Sequence, residues 1–193
     1  MRRGRLLAGG VAALLLLTGC TEAGAQGTTS GPGYISGDGT ITEWEHPTTD
    51  PVAFSGTTVE NTSFSSEDHL GQVVVVNFWY AGCPPCRKEA PTLNTLADAF
   101  KSDGVQFVGV NVSDDRGTAA GFERTYRSAY PSIVDQEQGA AVQLAFAANR
   151  SPKAVPSTLV LDRKGRVVAR VVGGADESIL TTLIQDAVDG QAA

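Results

Sequence analysis

Apolar residues fall along this chain in three rhythms, and each predicts a different kind of element. Val73-Val74-Val75-Val76-Asn77-Phe78-Trp79 is a continuous apolar run, the pattern of a central strand covered on both faces. Val105 to Val112 repeats it. Leu93, Leu96, Ala97 and Phe100 recur instead at i, i+3, i+4 and i+7. That spacing predicts a helix from Pro84 or Pro85 to about Lys101, kinked at Pro91. Further helices are expected over Thr118–Ser128, Asp176–Asp189 and Gly139–Ala148, the last bearing Val142, Leu144, Ala145 and Phe146. Ser132-Ile133-Val134 reads as a short edge segment. Ser157–Leu161, the turn Asp162-Arg163-Lys164-Gly165 and Arg166–Val172 alternate and turn as a hairpin. Upstream, Val52-Ala53-Phe54, Ser55-Gly56 and Thr57-Thr58-Val59 suggest a short N-terminal hairpin, and Ser65–Leu70 a single helical turn. The order β-α-β-α, then α-β-β-α, predicts parallel crossovers closed by an antiparallel hairpin and a helix, one α/β domain over residues 41–193.

The N-terminus follows another logic. Arg2, Arg3 and Arg5 precede an apolar stretch from Leu6 to Leu17, too short for an ordinary membrane span. It ends in Leu17-Thr18-Gly19-Cys20, which resembles a bacterial lipobox. Residues 1–19 are therefore expected to be a lipoprotein signal peptide, and Cys20 the lipidated mature N-terminus. Residues 20–40, rich in Gly, Thr and Ser, are expected to be a flexible linker. The expected location is extracytoplasmic, tethered by lipid to the bacterial cell membrane.

Charge narrows the partners. The chain carries 15 Lys and Arg against 21 Asp and Glu. Loss of the leader removes three arginines and leaves a formal charge of −9. No basic run offsets it, so nucleic acid is an unsuitable partner.

The cysteines carry the chemistry. If Cys20 holds lipid, Cys83 and Cys86 have only each other. At helical spacing their sulfurs lie one turn apart on one face, close enough to bond. Cys83 would open the helix, where free N–H groups and the helix dipole favour a thiolate. A structural staple across a two-residue gap would remove little chain entropy, because that gain grows with loop length. Redox function explains the pair better. A zinc site would need four ligands, and haem attachment would need His where Arg87 stands. His46 and His69 both precede the dithiol and read as surface or capping residues.

Three stretches resemble the thioredoxin superfamily, and within it the extracytoplasmic TlpA/ResA/DsbE-like group: Asn77 to Pro91, Gly104 to Asn111, and Val155-Pro156-Ser157-Thr158. The resemblance covers about Val52 to Val188. It implies a thioredoxin-like three-layer α/β fold, a central mixed sheet with helices on both faces, here with the N-terminal hairpin as an extension. It implies Cys83 as nucleophile and Cys86 as the resolving cysteine. It implies a cis Val155–Pro156 bond facing the dithiol, with Val155 offering its backbone to an extended client. Glu89 matches the group's acid beneath the site, a candidate proton relay to Cys86. Trp79 would pack under the site, and Pro84 and Pro85 would border the client. Two prolines also remove two backbone donors near the Cys83 sulfur. Asn77 stands where cytosolic thioredoxins carry a buried Asp, which shifts proton transfer toward Glu89.

The implied activity is thiol–disulfide exchange with exported client proteins, including apocytochromes c, with Glu89 leaning it toward reduction. A membrane or extracytoplasmic redox partner would recharge it. No cofactor beyond the Cys83–Cys86 pair and no metal is expected, and the protein is expected to act as a monomer. Three readings stay open: a disulfide-forming oxidant on the same fold, a thiol peroxidase, and a Cu(I)-binding lipoprotein using the dithiol as a soft ligand pair.

Overall fold

The computed structural model describes residues 40–43, 50–147, 152 and 154–190. The leader, Cys20 and nearly all of the linker lie outside these residues, as does His46. Twelve elements follow in order: β1 (Thr40–Glu43), β2 (Ser55–Thr57), β3 (Ser63–Ser65), β4 (Val74–Trp79), α1 (Pro84–Ala99), β5 (Gln106–Asn111), α2 (Arg116–Tyr126), β6 (Ser132–Val134), α3 (Ala141–Ala147), β7 (Ser157–Leu161), β8 (Val167–Val172) and α4 (Glu177–Asp189). Six strands form one mixed sheet in the order β1-β8-β7-β4-β5-β6. The three-layer α/β architecture implied by the resemblance is present.

The layers follow from strand pleat and crossover hand. β4 pairs parallel with β5, and β5 parallel with β6. Two crossovers stepping the same way across a sheet, both right-handed, put their helices on one face. That face holds α1, α2 and α4. Val73 and Val75 point into it and meet Leu93, Leu96, Phe107, Leu180, Leu183 and Ile184. Alternate residues Val74, Val76 and Phe78 point the other way, against Val142 and Phe146 of α3 and against Phe54 and Phe64. β7 enters on the other side of β4 and runs antiparallel to it and to β8. β4 thus sits mid-sheet with all six residues buried, as its apolar run requires.

The N-terminal hairpin is present, but with other strands than the sequence suggests. β2 pairs with β3, Ser55 opposite Ser65, and the chain reverses through Thr58–Thr62. Gly56, read as the turn, is a strand residue. A Cβ there would lie 2.5 Å from Ile133 Cγ2, so the glycine serves close approach of the hairpin to the sheet. The Gln138 amide then clamps Thr57, accepting from its N–H at 2.8 Å and donating to its carbonyl.

Other boundaries shift for local reasons. β1 was not anticipated and places Thr40 in a strand, one residue inside the expected linker; it pairs antiparallel with β8 along the sheet edge. α2 starts two residues early because the Asp115 carboxylate caps it, accepting from Thr118 N–H at 2.8 Å. The expected Gly139–Ala148 helix splits. Residues Asp135–Gln138 form a 3₁₀ turn, Gly139 takes φ 69°, and α3 begins at Ala141. Leu144 is exposed at 67 %, while Val142 and Phe146, one turn apart, face the core. Helix α1 runs unbroken through Pro91.

Candidate functional site

Cys83 and Cys86 are joined as a disulfide at the first turn of α1. The local sequence builds this. Strand β4 ends at Trp79, Cys83 takes extended backbone as N-cap, and Pro84 and Pro85 supply the fixed φ that a first helical turn accepts. Two first-turn N–H groups are lost to the prolines. The donor that remains nearest is the Cys86 N–H, which points at Cys83 Sγ at 3.2 Å. Both sulfurs are buried, with Cys83 at 0 % and Cys86 at 2 % exposure. Pro84 is exposed and Pro85 half-buried at the rim.

Of the residues implied by the resemblance, Trp79 and Val155 pack with the dithiol. Trp79, Cys83, Cys86 and Ala119 form one cluster, with Val155, Tyr80, Ala81, Phe122 and Val59 packed against it. The Val155–Pro156 bond is cis. Pro156 is buried, and its carbonyl accepts from Gly173 N–H at 2.8 Å, which fixes the loop against the end of β8.

Glu89 lies one turn below Cys86 on the buried face of α1. It is 4 % exposed. Asn77 Nδ2 donates to its Oε1 at 2.9 Å, and Ala175 N–H donates to its Oε2 at 3.0 Å. Burial pushes the carboxyl up to about 7, and these two hydrogen bonds only partly oppose it. Asn77 also donates to Thr158 Oγ1 at 3.1 Å, linking the acid to the strand after Pro156. The neutral amide at position 77 is therefore the partner of Glu89, and both its donors are engaged.

Several contributors carry no sequence signature. Asp114 Oδ2 accepts from Ala81 N–H at 2.6 Å and from Asn111 Nδ2 at 2.8 Å. Arg87 Nε donates to the Ala81 carbonyl at 2.7 Å. The peptide groups of Ala81, two residues before Cys83, are thus held on both sides. Behind the dithiol lies a small chamber of about 10 Å3, room for one water centre, lined by Cys86, Asn77, Tyr130 and Ser132 among others. Gly109, a glycine inside an apolar strand, marks the close approach of two of the chamber's lining residues, Ser132 and Trp79. His69, expected as a surface or capping residue, is half-buried; its ring stacks on Phe64 and bonds Gln72. No group of three or more metal-binding side chains and no helix long and apolar enough to cross a membrane occurs among the described residues.

Chemically, the site holds a disulfide at a helix start, an acid titrating near neutrality beneath it, and an apolar rim. The family profile for Redoxin matches residues 47–184. The thiol-disulfide oxidoreductase ResA of Bacillus subtilis is 34% identical over 113 residues, 58% of this chain and 60% of that protein. The thiol:disulfide interchange protein HelX of Rhodobacter capsulatus is 34% identical over 122 residues, 63% of this chain and 64% of that protein. The match therefore spans a little under two thirds of these relatives' own length. Among solved structures, a thiol:disulfide interchange protein of the thioredoxin family from Chlorobium tepidum superposes with a TM-score of 0.65 at 28% identity. That superposition covers 74% of this chain and 97% of the other.

Proposed function

Given that this chain belongs to the Redoxin family, we propose that it is a thiol–disulfide oxidoreductase working through Cys83 and Cys86. The observation that carries this reading is the Cys83–Cys86 disulfide at the N-terminal turn of α1, packed against Trp79 and Val155. In the reduced protein the Cys83 thiolate attacks a client disulfide. A Cys83–client bond forms and the client's other sulfur leaves. Cys86 then attacks Cys83 Sγ, releases the client's second thiol and restores the disulfide. Glu89, under Cys86, takes up or returns the proton that Cys86 must lose or gain. Val155 and Pro156, with Trp79, Pro84 and Pro85 around the rim, receive the client's extended chain.

The finer reading follows the leader. Cys20 carries lipid, and the protein works as a monomer outside the cytoplasm at the membrane, on exported clients that include apocytochromes c awaiting haem. A membrane or extracytoplasmic redox partner recharges the dithiol, and no cofactor besides it is needed. Glu89 favours the reducing direction.

Insulin reduction and refolding of scrambled ribonuclease test the activity. Wild type is active in at least one of the two, and Cys83→Ser is inactive in both. Activity retained in Cys83→Ser overturns the reading. The reduction potential tests direction: a value near about −270 mV supports a reductant, and one near about −120 mV an oxidant.

A further inference from the structure

Glu89 is too deeply buried to exchange protons with solvent by itself. Its two oxygens are occupied by Asn77 and Ala175, and it is 4 % exposed. Any proton that Cys86 gains or loses must still reach water. Cys86 also lines the water-sized chamber. Its polar walls are Asn77, Tyr130, Ser128 and Ser132. Position 109, paired with Ser132 in the sheet, has no side chain. A Cβ there would fall 2.3 Å from Ser132 Oγ and 2.7 Å from Trp79 Nε1.

Ser132 leads outward. Glu123 of α2 is close enough to interact with its hydroxyl and backbone N–H, and is only half-buried. Its Oε1 is buried without a hydrogen-bond partner among the described residues. The charged and titratable groups that act on Glu123 are Glu60, from the β2–β3 turn, and Tyr130. Tyr130 feels the charge of both Glu89 and Glu123. Desolvation and Glu60 hold the Glu123 carboxyl above its ordinary range, so it can carry a proton closer to neutral pH than a surface glutamate.

We propose that Glu123 is the solvent outlet of a second proton path to Cys86, running through Ser132 and the chamber lined by Asn77 and Tyr130. This rests on the dithiol reading above. When a Cys83–client bond is resolved, the Cys86 thiol loses one proton, its sulfur attacks Cys83 Sγ, and the client sulfur leaves with the electron pair. The proton passes to the chamber and out by Glu123. In the opposite direction a client thiolate cleaves the Cys83–Cys86 bond, Cys86 takes the electron pair, and a proton returns along the same route. Glu123 touches neither sulfur; it acts as a positioning residue for the proton.

The test uses the reduced protein and 5,5′-dithiobis(2-nitrobenzoate). The first equivalent of thionitrobenzoate reports attack by Cys83. The second reports its displacement by Cys86. Across pH 5 to 9, Glu123→Gln leaves the first phase unchanged and slows the second by about tenfold, less than the roughly 10²–10⁴-fold of a group that acts directly, because Glu123 acts through Ser132. It also removes one limb of the second-phase pH profile, and Glu123→Asp restores that limb. Ser132→Ala, which removes the intervening hydroxyl, slows the second phase in the same sense and serves if Glu123→Gln fails to fold. A second-phase profile in either folded variant that superimposes on wild type overturns the proposal. A wild-type protein with no Cys86-dependent second phase would instead overturn the oxidoreductase reading itself.

Discussion

Asn77 Nδ2 sits 2.9 Å from Glu89 Oε1, joining the centre of β4 to the buried face of α1. The bond is made across the sheet–helix interface, where both residues are nearly inaccessible. A carboxylate here has one neutral amide and one backbone N–H in place of water. Desolvation wins, and the acid titrates near neutrality.

That has a measurable consequence for stability. The Glu89 carboxyl rises from 4.5 to about 7 on folding. Between those values the unfolded chain releases the proton and the folded protein keeps it. Stability therefore falls as pH rises through this window and is flat above it. At about 1.4 kcal/mol per unit, the loss is about 3 kcal/mol. Glu89→Gln removes this dependence. Urea unfolding of the oxidised proteins should show the variant gaining about 3 kcal/mol on wild type between pH 4.5 and 8. A constant difference across that range would contradict the assignment.

Asp114 should hold the approach to the dithiol. Its Oδ2 accepts from both Ala81 N–H and Asn111 Nδ2, while Arg87 holds the Ala81 carbonyl. Asp114→Ala leaves two partly buried donors without an acceptor, at a cost of about 2 kcal/mol. The specific readout is amide hydrogen exchange: Ala81 should exchange faster in the variant, with amides in β7 and β8 unchanged. Slow exchange at Ala81 in the variant would mean that Arg87 and packing hold the loop alone.

The two faces of the sheet should be separable. Phe146 is buried on the face away from the dithiol, with its ring 5.3 Å from that of Phe54 and 5.4 Å from that of Phe78. Phe146→Ala should cost about 3–5 kcal/mol through the cavity it leaves. Because Cys83 and Cys86 pack instead with Trp79 and Ala119, alkylation of reduced Cys83 by iodoacetamide should keep its wild-type rate. A changed rate would show that the two layers are coupled.

What the sequence reveals divides along physical lines. β4, α1 and the β7–β8 hairpin are long, periodic and buried, so their patterns announce them. The Cys-x-x-Cys spacing announces the dithiol for the same local reason. β1 is four residues with one large apolar side chain, Ile41, and exists only because β8 offers an edge. Gly56 reads as a turn in isolation, but its function is contact with Ile133, 77 positions away in the chain. Glu123 and Asp114 look like ordinary helix and loop acids. Their neighbours Ser132 and Ala81 reach them only in the folded sheet.

Gly109 gives the sharpest test of that last class. In the sequence it interrupts the apolar run Phe107-Val108-Gly109-Val110 and looks like a weak point in a strand. In the fold it pairs with Asn77 on one side and Ser132 on the other. An added Cβ would fall 2.3 Å from Ser132 Oγ and 2.7 Å from Trp79 Nε1. Neither side chain can swing out, because both are almost fully buried. Gly109→Ala should therefore destabilise by about 1–3 kcal/mol, the usual range for overpacking. It should also shift tryptophan emission as the Trp79 indole is displaced. Gly82→Ala is the matched control. Its Cβ would meet the Tyr80 ring at 3.4 Å, an ordinary contact, on a residue exposed at the loop. That change should stay within about 0.5 kcal/mol of wild type. If the two variants prove equally stable, the space at Gly109 is not what seats Trp79 beneath the dithiol.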